Sequence, residues 1–185
     1  LRGLRADSFN KIVTDRADIY RELKAYLTDR QPADLPKLYF YEETAPSLDS
    51  VYGLSKAFEE AGKERVWLKS GGYLVIQPTE ALTVVDINTG KYTGKKKKDD
   101  TFLKINLEAA RELARQLRLR NLSGIIVADF IDMDREEDKQ TLMAVLASEL
   151  KKDPVRTSLV DMTPLGLVEI TRKKVQKTLA EQVNS

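Results

Sequence analysis

Leu82-Thr83-Val84-Val85-Asp86-Ile87-Asn88 opens on a β-favouring apolar run, and residues 81–86 predict a strand that ends on the acid Asp86, with the amide of Asn88 two residues on. A second run, Ile125-Ile126-Val127-Ala128-Asp129-Phe130, repeats the pattern further along. Continuous apolar runs of this kind predict central strands covered on both faces. Between them, residues 100–120 carry Leu103, Leu107, Ala110, Ala114 and Leu117 on one helical stripe, suited to packing on a sheet. Strand, helix, strand is the unit of an α/β fold, and α/β is the predicted class.

The flanks fit that class. Residues 9–14 predict a strand and 16–27 a helix, with Ile19, Leu23 and Leu27 at fourfold spacing. Pro32, Pro36 and Pro46 mark a loop interrupted by a short strand over 38–41. Residues 47–61 predict one helix, with Gly62 as its C′ residue. Residues 65–68 and 73–76 predict a hairpin, its positive φ supplied by Gly71 and Gly72. Downstream, 124–130 predict a strand, 135–151 a helix, 155–160 and 165–170 two strands, and a polar helical tail follows.

Composition removes whole classes of chemistry. The chain has no Cys and no His, which excludes Ser-His-Asp and Cys-His catalysis, disulfides and His- or Cys-based zinc sites. Carboxylates and cations must do any chemistry, and carboxylate oxygens select hard ions such as Mg²⁺, Mn²⁺ and Ca²⁺. The net charge is only +2, so charge distribution matters more than its sum. No apolar run approaches the roughly 18 residues of a membrane span. The first residues do not form a signal peptide, and the missing initiator Met predicts a piece of a longer protein.

Asp86 and Asp129 close the two apolar runs. Ligands of open α/β sheets bind outside the carboxyl ends of strands, where neighbouring strands would bring these acids together. Two close carboxylates repel unless a cation lies between them or one takes a proton. The alternative stays open that each acid is solvated or caps a helix. Asp132 or Asp134 in particular would serve as the cap of the helix beginning near Arg135. After Asn88, residues 91–98 hold five lysines (Lys91, Lys95, Lys96, Lys97 and Lys98) and no acid. Such a loop suits a polyanionic backbone, with a solvated surface loop as the alternative. Tyr39, Phe40, Tyr41 and Trp67 read as packing residues rather than a base-stacking platform.

Three longer segments are recognisable: Glu80-Ala81-Leu82-Thr83-Val84-Val85-Asp86-Ile87-Asn88-Thr89-Gly90, Ala114-Arg115-Gln116-Leu117-Arg118-Leu119-Arg120 and Ile125-Ile126-Val127-Ala128-Asp129-Phe130-Ile131-Asp132-Met133. With Asn106-Leu107-Glu108-Ala109-Ala110 between them, the chain resembles the catalytic region of the ribonuclease E/G family, closely over about 66–174. Residues 1–62 match more loosely.

The resemblance implies a DNase I-like mixed-sheet catalytic subdomain over 63–185, preceded over 1–62 by part of an RNase H-like α/β subdomain. It further implies a Mg²⁺-dependent endoribonuclease, with Mn²⁺ able to substitute, that cuts single-stranded A/U-rich RNA to 5′-phosphate and 3′-hydroxyl ends. Asp86 and Asp129 would hold the ion, Asn88 would support them, and Arg156 would contact RNA together with Lys91 and Lys95, Lys96, Lys97 and Lys98. The setting implied is RNA processing and mRNA decay in a bacterial cytoplasm, without a membrane segment. No segment resembles the family's S1 or 5′-monophosphate sensor parts. The Cys-Pro-x-Cys zinc link is absent, and Pro164 stands where a basic residue is expected. A homo-oligomer is possible on this reading, but a zinc-linked dimer is not expected. Two rivals remain: a receiver-like phosphate-binding module, which lacks a Lys ending the 155–160 strand, and a catalytically weak fragment that serves as an RNA-binding or scaffold module.

Overall fold

The computed structural model describes residues 9–42, 46–90 and 98–183, with residues 98 and 99 described by backbone alone. The chain divides into two compact units, Leu1–Glu59 and Glu60–Ser185.

In the first unit, β1 (Ile12–Thr14) and β2 (Leu38–Phe40) pair in parallel, Val13 opposite Tyr39. A parallel pair needs a crossover rather than a hairpin; α1 (Ala17–Arg30), which buries Leu27, and a 3-10 turn (Pro32–Lys37) supply it. Tyr39 and Phe40 are exposed rather than core, with the Phe40 ring edge-on to Tyr20 at 5.5 Å.

The single helix expected over 47–61 is two helices, α2 (Leu48–Tyr52) and α3 (Leu54–Gly62). Gly53 takes the left-handed conformation (φ 61°) and ends α2, a backbone state that costs glycine little. Asp49 then starts the next helix by accepting hydrogen bonds from the Ser55 N–H (2.6 Å) and the Ser55 hydroxyl (2.7 Å). Gly62 is the last residue of α3 and does not have a positive φ.

The second unit is built on one mixed sheet. Its strands are β3 (Arg65–Trp67), β4 (Tyr73–Pro78), β5 (Leu82–Asn88), β6 (Gly124–Asp129), β7 (Thr157–Met162) and β8 (Leu167–Arg172), in the spatial order 3-4-5-6-8-7. β5 and β6 are parallel, and every other neighbouring pair is antiparallel. α4 (Lys98–Leu119) carries the chain from β5 to β6, and α5 (Glu136–Leu150) packs against it. The class is α/β, as the sequence predicts.

The core lies on one side of this sheet. Leu74, Ile76, Val85, Ile126, Val168 and Ile170 meet Ile105, Ala109, Leu113 and Leu117 of α4 and Leu142 and Leu146 of α5. Each of these Val, Leu and Ile side chains removed from water contributes about 1.5–3 kcal/mol. The expectation that β5 and β6 are covered on both faces is corrected: burial alternates along both strands, and Val84 and Ile125 are 38% and 51% exposed. With antiparallel neighbours on either side, helices need cover one face alone. Of the predicted α4 stripe, Ala110, Ala114 and Leu117 are buried in the core and Leu103 and Leu107 are half-buried, while Ile105, Asn106, Ala109 and Leu113, outside that stripe, are buried as well. Neither Asp132 nor Asp134 caps α5; Arg135 occupies the N-cap without a side-chain bond, and Glu136, Glu137 and Asp138 fill the first turn.

A buried polar cluster closes the far end of the unit. Arg172 donates to Asp153 through Nε (2.8 Å) and Nη2 (3.3 Å), and through Nη1 to Asn121 Oδ1 (2.8 Å) and the Leu122 carbonyl (3.0 Å). Asn121, itself left-handed at φ 49°, donates onward to the Gln176 and Lys177 carbonyls. One guanidinium thus joins the end of α4, the turn after α5, β8 and the tail leading to α6 (Leu179–Val183). No helix among the described residues is long and apolar enough to cross a membrane.

Candidate active site on the open face of the sheet

Asp86 and Asp129 are register partners on the two parallel strands. Paired strands lie about 4.8 Å apart, and side chains in register leave the same face. That face is fixed by their neighbours. Val85 and Ile87 point into the core from β5, as Ala128 does from β6, so both acids must point away from α4. The acids therefore sit on the open face rather than beyond the strand ends, and Asp86 lies two residues before β5 stops.

The amide of Asn88 donates to Asp86 Oδ2 at 2.6 Å and holds that carboxylate in one orientation. The Asp129 carboxyl titrates above the usual carboxylate range. Burial is the largest cause, followed by the charges of Asp86 and Asp132. A pair poised in this way favours a cation between its members. The donors are oxygens, which suit a hard divalent ion such as Mg²⁺ or Mn²⁺. Among the described residues, no group of three or more His, Cys, Asp or Glu side chains could hold a metal ion. An ion on this pair would therefore keep most of its coordination for water and substrate, as Mg²⁺ commonly does.

Two side chains that sequence reasoning missed hold this face from behind. Asn106, fully buried on α4, donates to the Ile131 carbonyl (2.7 Å) and accepts from the Ile131 N–H (3.0 Å). That pairing fixes the segment that leaves Asp129. Glu108 accepts from the Lys69 and Ser70 N–H groups (2.7 and 3.1 Å) and closes the β3–β4 turn. A polar residue at a helical core position was the available signal for Asn106. Glu108 gave none, because its partners are 38 and 39 residues away.

The glycines of that turn and of the β5 end meet. A Cβ on Gly90 (φ 66°) would overlap the Gly71 carbonyl oxygen, and one on Gly72 would lie 2.8 Å from the Asn88 carbonyl oxygen. Gly90→Ala is accordingly expected to destabilise the protein, by at least the 1–2 kcal/mol or so of a left-handed non-glycine residue. It should also lower any activity that needs Asn88 in place. Thermal melting checks this; an unchanged melting temperature would show that the overlap is easily relieved.

The remaining predicted residues are dispersed. Asp132 lines a cavity of about 160 Å³ with Lys139, Met133 and Met162, beside the Asp129 segment. Arg156 is exposed and immediately precedes β7, whose first residue pairs with Arg172 opposite Gly124. That is the other end of β6, about 17 Å along the strand from Asp129, so the structure does not bring Arg156 to the carboxylate pair. Lys91, Lys95, Lys96 and Lys97 lie outside the described residues, as does the side chain of Lys98. Trp67, expected to pack, is 63% exposed, because its neighbour Val66 takes the core-facing position on β3.

Residues 1–175 match the family model described as the ribonuclease E/G family. The chain is 41% identical over 179 residues to ribonuclease G of Salmonella typhimurium, covering 97% of this chain and 36% of that protein. It is 40% identical over 179 residues to ribonuclease G of Haemophilus influenzae, with the same coverage of 97% and 36%. Against ribonuclease E of a Nostoc species, identity is 39% over 184 residues, covering 98% of this chain and 27% of that protein. The chain thus spans 27–36% of the length of these curated relatives.

Proposed function

Because the chain belongs to the ribonuclease E/G family, we propose that it supplies the catalytic carboxylates of a divalent-ion-dependent endoribonuclease acting on single-stranded RNA. The observation that carries this reading is the in-register pair Asp86 and Asp129 on an open sheet face. In this reading Asp86 and Asp129 hold Mg²⁺, or Mn²⁺ in its place. The bound ion supplies Lewis acidity at the phosphate and lowers the pKa of water at the site.

The chain's own residues do the positioning. Asn88 keeps Asp86 from turning away, through its 2.6 Å bond. Asn106 fixes the Asp129 segment through both polar groups of Ile131. Lys91, Lys95, Lys96, Lys97, Lys98 and Arg156 contact phosphates and set the path of the strand without identifying bases. Water attack at phosphorus, with the 3′ oxygen leaving, yields 5′-phosphate and 3′-hydroxyl ends. The setting we propose is RNA processing and decay in a bacterial cytoplasm.

The test is cleavage of a single-stranded oligonucleotide with Mg²⁺ or with a chelator, followed by identification of the new termini. Metal-dependent cuts leaving 5′-phosphates are expected. RNA binding with no cleavage would instead make the chain an RNA-binding module. A further expectation concerns the lysines: alanine at residues 95–98 lowers the slope of log K against log salt by about 0.7 for each phosphate no longer neutralised. An unchanged slope would place the loop outside the RNA path.

A further inference from the structure

The open face carries a second cluster, and it lies in line with the carboxylates. Trp67 of β3 and Tyr73 of β4 are register partners, with ring centroids 5.0 Å apart. Tyr73 is in turn the register partner of Asn88. The Arg65 guanidinium sits over both rings, 4.5 Å from the Tyr73 centroid and 5.8 Å from that of Trp67. Arg65 also begins the row that runs through Val75 and Asp86 to Asp129. Four neighbouring strands therefore present, from one side to the other, a cation, two aromatic rings, an amide and two carboxylates.

We propose that Trp67 and Tyr73, backed by Arg65, form a nucleobase-stacking subsite for single-stranded RNA, which seats a base flanking the phosphate held at Asp86 and Asp129. This rests on the function proposed above. An apolar ring pair that only filled the core would face α4; this one faces solvent, and Trp67 is 63% exposed. Aromatic side chains on a four-stranded sheet face are a recognised platform for two or three splayed bases. At about 4.8 Å per strand, β3 lies roughly 10 Å from β5, within the reach of a flanking nucleotide. Arg65 adds what the platform needs: a charge for the phosphate beside the stacked base, and a cation–π contact that holds the rings in place. Stacking is tolerant of sequence, so the subsite would add affinity without selecting one base.

Trp67 is the one tryptophan of the chain, so its emission reports on this subsite directly. The experiment titrates the 185-residue chain carrying Asp129→Asn, which keeps the RNA intact, with oligoadenylate and with an abasic ribose-phosphate oligomer of equal charge. The expected result is quenching by oligoadenylate and not by the abasic oligomer. Trp67→Ala should weaken oligoadenylate binding between about 5- and 150-fold, with the salt slope and melting temperature unchanged. Trp67→Phe should restore most of the loss. Equal affinity in Trp67→Ala, or equal quenching by the abasic oligomer, overturns the proposal. So does a Trp67 already shielded from a soluble quencher before RNA is added, since protein would then occupy the face. The two readings fail separately. If Trp67 responds to bases while Asp86 and Asp129 support no cleavage, the nuclease reading falls and the platform stands. Cleavage that is indifferent to Trp67 sinks the platform alone.

Discussion

Asp86→Asn and Asp129→Asn are each expected to lower the proposed Mg²⁺-dependent RNA cleavage by more than about 100-fold, since even the outer partners of metal ligands cost 10–100-fold when removed. Neither substitution should cost stability. The Asp129 carboxyl titrates above its ordinary value, because of burial first and the charges of Asp86 and Asp132 next. Protonation there favours the folded state. That contribution is complete below the pKa of an unfolded Asp, near 4, and is lost as pH rises through the raised folded value. At neutral pH the ionised carboxylate is thus a cost, and Asp129→Asn removes it. Without metal, the melting temperature of Asp129→Asn should equal or exceed that of the unsubstituted chain. Adding Mg²⁺ at ten times its dissociation constant should stabilise the unsubstituted chain by about 1.4 kcal/mol and either variant by far less. Wild-type cleavage by either variant would exclude the pair as the reactive centre. A variant that melts lower without metal would contradict the electrostatic account while leaving the catalytic one standing.

Asp153→Ala is expected to cost about 3–5 kcal/mol, because it strands the Arg172 guanidinium in the interior. The side chains of this pair are 1% and 3% exposed, so water cannot replace the missing partner. Against a typical total stability of about 5–15 kcal/mol, that loss leaves little in reserve. Exchanging both members for apolar residues should recover only part of it, since the charges lose their desolvation cost together while Asn121, the Leu122 carbonyl, the Val155 N–H and Thr157 each lose a partner. The pair also sets an acid limit. Burial works to raise the Asp153 carboxyl, but the Arg172 hydrogen bond and charge, with the Val155 N–H and Thr157 hydroxyl, hold it below the usual range. A depressed folded value means that the stabilisation is present above the pKa of an unfolded Asp and is lost as pH falls through the depressed one. Asp153→Asn should therefore flatten the decline of stability in acid. Denaturant melts across that interval check it; a parallel decline in the variant would mean that other carboxylates govern acid unfolding.

The order of strands and helices in the second unit was legible because each element carries its own period. β5 and β6 read as apolar runs, and α4 as a stripe. Asp86 and Asp129 stood out because an acid closing such a run conflicts with burial unless it faces outward. What could not be read was whatever depends on a partner distant in sequence. The break at Gly53 needed Asp49 to reach Ser55, and helical periodicity continues through a glycine without marking it. The outward face of Trp67 follows from pairing with Tyr73 and from Val66 taking the core position, and three residues of strand are too few to show alternation. The buried roles of Asn106 and Arg172 depend on segments 25 and 19 residues away. The apolar runs misled in one respect: Val84 and Ile125 suit a doubly covered sheet, yet in this chain they lie on the open face.

The pairing of β5 with β6 makes fold and site share a single ruler. Successive residues of a strand point to opposite sides, so Val85 reaches the core because Asp86 does not. Inserting or deleting one residue between Leu82 and Asp86 would turn the carboxylate inward and Val85 outward in the same stroke. In a genetic screen, length changes in this strand should therefore eliminate both protein abundance and activity. Substitutions at Asp86 itself should leave abundance intact, so the two classes of lesion separate a damaged scaffold from a damaged reaction without purifying the protein.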